Sequence, residues 1–183
     1  MAQQELLQYV NSYNSSCQFH LADTFNLILF APCGGSLTPT DMLDRTQGGC
    51  RRPGPYCTYT YNDTCLDGDP CETTIVQDTL SDQFMENVAA ALNNTYGLEP
   101  FVVIGKWHRK KVDSNREINQ ATLNYPKTIT AYQSYHTNLQ YAMDQVKQLH
   151  DKGLLVDMHG HGEENYTMIE YLLDGYELHR DDL

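Results

Sequence analysis

Three short stretches of this chain are apolar almost without interruption: Phe25 to Ala31, Phe101-Val102-Val103-Ile104 and Leu154 to Met158. Runs of this length, rich in Val, Ile, Leu and Phe and bounded by Pro or Gly, predict buried strands. Between them the period lengthens. Gln77 to Tyr96 places Leu80, Phe84, Val88, Ala91 and Leu92 on one stripe, which predicts a helix that Gly97 ends. A second helical stretch covers residues 114 to 123. A longer one runs from about 128 to 151, with Tyr135, Leu139, Ala142, Val146 and Leu149 as its buried face, and Gly153 stops it. Strand, helix, strand, helix, strand in that order predicts βαβ units: an α/β fold with a mixed, largely parallel sheet flanked by helices. Residues 1 to 20 read as an amphipathic or irregular lead-in, in which Leu6, Leu7 and Val10 cover one face of a short helix.

The remaining stretch breaks both rhythms. Residues 38 to 74 hold Gly48-Gly49, Pro53-Gly54-Pro55 and Asp67-Gly68-Asp69-Pro70, and four of the six cysteines: Cys50, Cys57, Cys65 and Cys71. That chemistry predicts a loop insertion, centred on 40–74, within a single domain spanning 1–183. A structureless loop of that length is unusual inside a compact domain. Disulfides among those four cysteines would order it, at roughly 2–4 kcal/mol per bridge. Cys17 and Cys33 are then the remaining pair, or free.

Composition and charge narrow the classes. With 40% hydrophobic and 20% charged residues the chain can bury a real core. Twenty-four acids against 12 bases give a formal charge of −12, which disfavours nucleic acid and anionic membranes as partners. No apolar stretch approaches the roughly 20 residues a membrane-spanning helix needs. Asn14, Asn62, Asn93 and Asn165 each begin an N-x-Ser/Thr sequon. Beside an even cysteine count these favour a secreted, glycosylated and disulfide-bonded protein. The first residues contain no signal peptide. A removed signal with a supplied methionine, or an intracellular protein with reduced thiols, are the two explanations, and the secreted one is preferred.

Candidate chemistry collects where the apolar runs end. In open α/β sheets ligands sit beyond the carboxyl ends of strands. Asp157-Met158-His159-Gly160-His161-Gly162 follows the last strand, so His159 can ligate zinc and Asp157 can orient a ligand or water. After the Phe101 to Ile104 strand, His108-Arg109-Lys110-Lys111 and Asn115-Arg116 concentrate basic charge in an acidic chain. Arg109, Asn115 and Arg116 suit a carboxylate, with Asp113 placed to hold Arg109 or Arg116. Asp78 and Asp82, four apart at a predicted helix start, share one face there; Asp78 is either a helix-terminus acid or an oxygen ligand.

Five motifs then fall in one order: Ala31-Pro32-Cys33-Gly34-Gly35 with Pro39, Asp78-x-x-Ser81-Asp82, His108-Arg109 with Asp113-x-Asn115-Arg116, Tyr135-His136-x-x-Leu139, and Asp157-x-His159-Gly160. From about residue 27 to 173 the chain resembles the N-formylglutamate amidohydrolases and their eukaryotic, secreted-looking relatives. That resemblance implies a phosphorylase/hydrolase-like fold akin to the zinc carboxypeptidases, with zinc at the strand ends. It implies Cys33, Asp78 and His159 as metal ligands, and Asn115 and Arg116, joined by His136, as the substrate-binding set. Arg109 would polarise the scissile carbonyl, with Asp157 beside it as the second catalytic residue.

Two departures from the family stand out. Its glycine turn usually carries histidine where this chain has Cys33; a thiolate also binds zinc, but a disulfide at Cys33 would remove that ligand. The family also continues beyond this length to a glutamate that resembles a general base, and Glu163, Glu164 and Glu170 do not match it. Set against the family, this leaves two expectations open: a piece of a longer or cleaved protein, completed by a second chain or C-terminal segment, or a relative that has lost catalysis. The resulting expectation is a zinc-dependent amidohydrolase acting on N-acyl amino acids or short peptides with a free carboxylate. The alternative is a secreted, non-catalytic relative that binds a ligand or builds an extracellular assembly.

Overall fold

The computed structural model describes residues 7–21, 25–45, 58–64 and 70–160. Their main sheet has five strands: β1 (Val10–Asn11), β2 (Cys17–His20), β3 (Leu27–Ala31), β6 (Phe101–Gly105) and β7 (Leu154–Asp157), in the order β1-β2-β6-β3-β7. β3 is parallel to both β6 and β7, whereas β2 is antiparallel to β6 and β1 to β2. The sheet is mixed, with its parallel part at β6-β3-β7. A separate antiparallel hairpin joins β4 (Thr58–Thr64) and β5 (Pro70–Thr74).

Helix α1 (Ser81–Tyr96) covers one face of the main sheet, and α3 (Pro126–His150) covers the other. Alternation in β6 shows this directly. Phe101 and Val103 pack with Ile28, Tyr135, Ala142 and Val146; Val102 and Ile104 pack with Leu29, Ala31, Met85 and Ala89. Every residue of β6 is buried, so its unbroken apolar run is what a central strand needs. Each such side chain stabilises the fold by roughly 1.5–3 kcal/mol. The short α2 (Ile118–Thr122) is capped by Glu117, whose carboxylate accepts from the Asn119 and Gln120 backbone N–H groups at 3.0 and 2.8 Å. Pro126 opens α3, at the first helical position, where its missing N–H costs nothing. α1 ends at Gly97 with φ +64, a left-handed conformation that glycine adopts without strain.

Several expectations need correcting. Val10 lies in β1 and not on a helix face, Leu6 is outside the described residues, and a 3-10 turn at Tyr13–Ser15 leads into β2, where Cys17–His20 finds the open edge of β6. The Cys-rich stretch is not structureless, since it contains β4 and β5. Helix α1 begins at Ser81, not Gln77, because Leu80 turns the chain with φ +65. Leu80 and Phe84 consequently face solvent, and Met85 and Ala89 take the core positions. Leu149 is exposed too. β7 is an edge strand among the described residues, with Leu154 and Leu155 exposed, so its apolar run does not mark burial on both sides. Of the cysteine-bridge candidates, Cys50, Cys57 and Cys65 lie outside the described residues and Cys71 lies in β5. Cys17 and Cys33 are both free and buried. Among the described residues no helix is long and apolar enough to cross a membrane.

Candidate metal centre and carboxylate-binding turn

The turn after β3 is built to approach other backbone closely. A Cβ on Gly34 would lie 2.3 Å from the Asp82 nitrogen and 2.5 Å from Ser81 Oγ; one on Gly35 would lie 2.2 Å from the Lys106 carbonyl carbon. Only glycine permits that contact. The turn thus wedges between the start of α1 and the residue after β6. Cys33 O accepts from the Asp78 N–H at 3.1 Å, and Gln77 Nε2 donates to Gly34 O at 2.7 Å. Residues 77 to 80 stay out of the helix and deliver Asp78 beside Cys33. Asp78 and Asp82 therefore do not share a helix face: Asp82 turns away and takes Lys106 Nζ at 2.9 Å.

His159 reaches the same place from β7. Met158 N–H continues the pairing onto Phe30 O at 2.9 Å, so residues 33 and 159 both lie just past neighbouring strand ends. Ligand atoms of Cys33, Asp78 and His159 all lie within 4.8 Å of one another. Nδ1 of His159 is 2.7 Å from Asp78 Oδ2, and Nε2 is 3.0 Å from Asp157 Oδ2. The Gly160 N–H also donates to Asp78 Oδ2, at 3.3 Å. With hydrogen bonds to Asp157 and Asp78 the imidazolium is favoured, and its pKa rises to about 9. Burial by itself would raise Asp78, but His159 and then Arg109 hold its carboxyl below the usual range. The Cys33 thiol is fully buried, and burial followed by the Asp113 charge pushes its pKa far up.

This donor set could hold a metal ion. A sulfur, an imidazole nitrogen and a carboxylate oxygen converge from three segments, and each proton between them is one a divalent cation can displace. Asp157 on Nε2 leaves Nδ1 as the ligating nitrogen, the orienting arrangement seen around metal-bound histidines.

Arg109 and Asp113 form the next layer. Arg109 Nε donates to Asp113 Oδ2 at 2.7 Å, and its Nη1 lies 3.6 Å from Asp78 Oδ1. Burial would lower the Arg109 guanidinium's pKa, but Asp113 beside it keeps it above the usual value. The other Asp113 oxygen accepts from Cys33 Sγ at 3.6 Å and from the Asn115 N–H at 3.1 Å. Asp113 thus holds Arg109, not the Arg116 side chain.

Asn115 Nδ2 lies 3.2 Å from His159 Nε2, which places this residue beside the candidate ligand cluster. Arg116 is exposed and its guanidinium donates to the Asn115 carbonyl at 2.9 Å; no carboxylate pairs with it among the described residues. His136 sits beneath this turn on α3. Its ring centroid lies 4.1 Å from that of Tyr132 in a tilted pair, burial lowers its pKa, and a hydrogen bond that the ring donates to the Ser114 backbone partly offsets that. Tyr132 Oη donates to Arg116 O at 3.0 Å. His136 therefore borders the Asn115–Arg116 turn and is not joined to the ligand cluster.

Sequence reasoning missed Arg45, whose side chain is fully buried against Asp113, because it lies in a stretch with loop composition. It also missed the Lys106–Asp82–Glu86 ion cluster, in which Lys106 Nζ lies 3.2 Å from Glu86 Oε1. The sequons divide. Asn14 is exposed, Asn93 is half-buried near the end of α1, Asn62 lies in β4, and Asn165, like His161, is outside the described residues. No family model, curated protein or solved structure matches the chain.

Proposed function

We propose that the chain is a zinc-dependent amidohydrolase-like protein, with a zinc-carboxypeptidase-like arrangement of sheet and site. Its substrate is an N-acyl amino acid or a short peptide with a free carboxylate. The observation that carries this reading is the meeting of Cys33, Asp78 and His159 within 4.8 Å, bordered by Arg109 and Asn115. A zinc ion there would lower the pKa of a bound water and polarise a carbonyl. The chain's own residues do the rest. Cys33, Asp78 and His159 hold the ion, and Asp157 fixes the His159 ring. Arg109 faces the carbonyl oxygen as charge develops on it, and Asn115 with Arg116 grips the substrate carboxylate. His136 shapes the floor of that grip. The sequons and the cysteine-rich insertion support a secreted, glycosylated setting, where small acidic substrates and not nucleic acid would be the partners.

One observation favours the alternative, a non-catalytic relative that binds a ligand or serves an extracellular assembly: the Cys33 thiol is buried and donates to the Asp113 carboxylate, which favours thiol over thiolate. Metal analysis of the purified chain, with hydrolysis assays on N-formyl and N-acetyl amino acids, decides between the two. Stoichiometric zinc with turnover supports the hydrolase. Zinc without turnover supports the binding relative, and neither zinc nor turnover ends the metal reading.

A further inference from the structure

The segment from Arg109 to Gln120 carries Arg109, Asp113, Asn115 and Arg116, yet its only regular element is the start of α2. A side chain from elsewhere laces it together. The guanidinium of Arg45 donates through Nε and Nη2 to the Arg109 carbonyl at 3.0 and 2.7 Å, and through Nη1 to the Gln120 carbonyl at 2.7 Å. Its Nη2 also reaches Asp113 Oδ2 at 3.3 Å, and its backbone N–H donates to Lys110 O at 2.7 Å. Both ends of the turn and the carboxylate in its middle are therefore bound by one residue, fully buried.

Charge adds a second consequence. Asp113 is also fully buried and is shared by two guanidiniums, Arg45 and Arg109. Arg109 is therefore left to share Asp113 and to turn its Nη1 towards Asp78, 3.6 Å away, on the side of the ligand cluster.

We propose that Arg45 is a positioning residue for the carboxylate-binding turn: it fixes the backbone that presents Asn115 and Arg116, and shares Asp113 with Arg109, whose Nη1 faces Asp78 and the ligand cluster. The ligand class is the carboxylate of an N-acyl amino acid, and in that respect the proposal rests on the reading of the site given above.

The test uses the 183-residue chain with Arg45→Met, Arg45→Lys and, as a control for loss of a buried polar group elsewhere, Thr128→Val, whose native hydroxyl donates to Thr122 O and Tyr125 O. N-acetylglycine is titrated into each chelator-treated protein. Arg45→Met should bind at least about tenfold more weakly than wild type, Arg45→Lys should recover most of that loss, and Thr128→Val should bind normally. On the zinc-loaded proteins the Arg45→Met loss should appear in KM more than in kcat. Wild-type affinity in folded Arg45→Met overturns the proposal, and so does an Arg45→Lys protein as weak as Arg45→Met. If Arg45→Met fails to fold, Arg45→Lys against Thr128→Val decides. If wild type binds no N-acetylglycine, the substrate reading falls, and amide exchange at Asp113 and Asn115 decides the positioning role. Exchange at least about tenfold faster in the Arg45 variants than in Thr128→Val supports it, and equal rates overturn it.

Discussion

Nδ1 of His159 lies 2.7 Å from Oδ2 of Asp78, joining the end of β7 to the segment before α1 across 81 residues of chain. In the metal-free protein this bond, with the one to Asp157, keeps His159 charged up to about pH 9, against an ordinary value of 6.5. The folded state therefore holds a proton that the unfolded state releases between those values. Stability from this contact is complete below about pH 6.5 and fades as pH rises through about 9. The melting temperature of chelator-treated wild type should fall over that window, while His159→Gln should give a flatter profile. Parallel profiles for the two proteins would contradict the arrangement.

Added zinc should reverse the trend, since a cation at Nδ1 competes with the proton. Zinc affinity should rise with pH across the same window, and Cys33→Ser should bind on the order of a hundredfold more weakly. Competition against a chromophoric chelator measures both. An affinity indifferent to Cys33→Ser would exclude the thiol as a ligand.

Cys17 and Cys33 are fully buried thiols, and burial raises the Cys17 pKa to about 11. Neither should react at an appreciable rate with a thiol reagent in the native state near pH 7, and both should react after denaturation without reductant. Mass spectrometry of the labelled peptides gives the answer. Rapid native labelling of either position would refute its burial.

Gly34→Ala drives a methyl group into the backbone of Asp82, where nothing can rotate aside. We expect a loss of about 1–3 kcal/mol in denaturant unfolding, together with weaker zinc binding. Gly97→Ala meets no atoms and suffers only from its positive φ, so it should cost about 1 kcal/mol and leave zinc binding alone.

Arg116→Ala removes an exposed guanidinium that, among the described residues, bonds to the neighbouring carbonyl. Stability should change by less than about 0.5 kcal/mol, whereas affinity for N-acetylglycine should drop about tenfold or more. Calorimetry on the folded variant reads both. Unchanged affinity would detach Arg116 from ligand binding.

The parallel core was legible because its strands are unbroken apolar runs and its helices end at Gly97 and near Gly153. Spacing alone marked His159 at the end of an apolar run and left Asp78 between a helix-terminus acid and an oxygen ligand, whereas Cys33 entered only through the family resemblance; the fold brings the three together. What stayed hidden was set by distant partners. Cys17–His20 lacks a strand-like run and becomes β2 only because β6 offers an edge. Leu80 carries an apolar side chain on the predicted stripe, yet its left-handed backbone keeps it out of the helix, and the core-facing stripe runs through Met85, Val88, Ala89 and Leu92, leaving Phe84 exposed. Arg45 sits in a stretch whose composition says loop, and nothing local announces that its charge is needed under Asp113. The distinction between holding Arg109 and holding Arg116, open from spacing alone, is decided by which guanidinium reaches a carboxylate buried at the base of the turn.

Arg109 is fastened at both ends of the stretch that carries the β4–β5 hairpin: its carbonyl takes the Arg45 side chain, and its Nη1 donates to Val76 O at 3.4 Å. Since the two stems meet at one residue, the intervening length is nearly free to vary, with a doubling costing only about 0.6 kcal/mol of closure entropy. Grafting a shorter or longer ornament between those stems, with the packing of β5 on α2 kept, is thus a route to new surface properties.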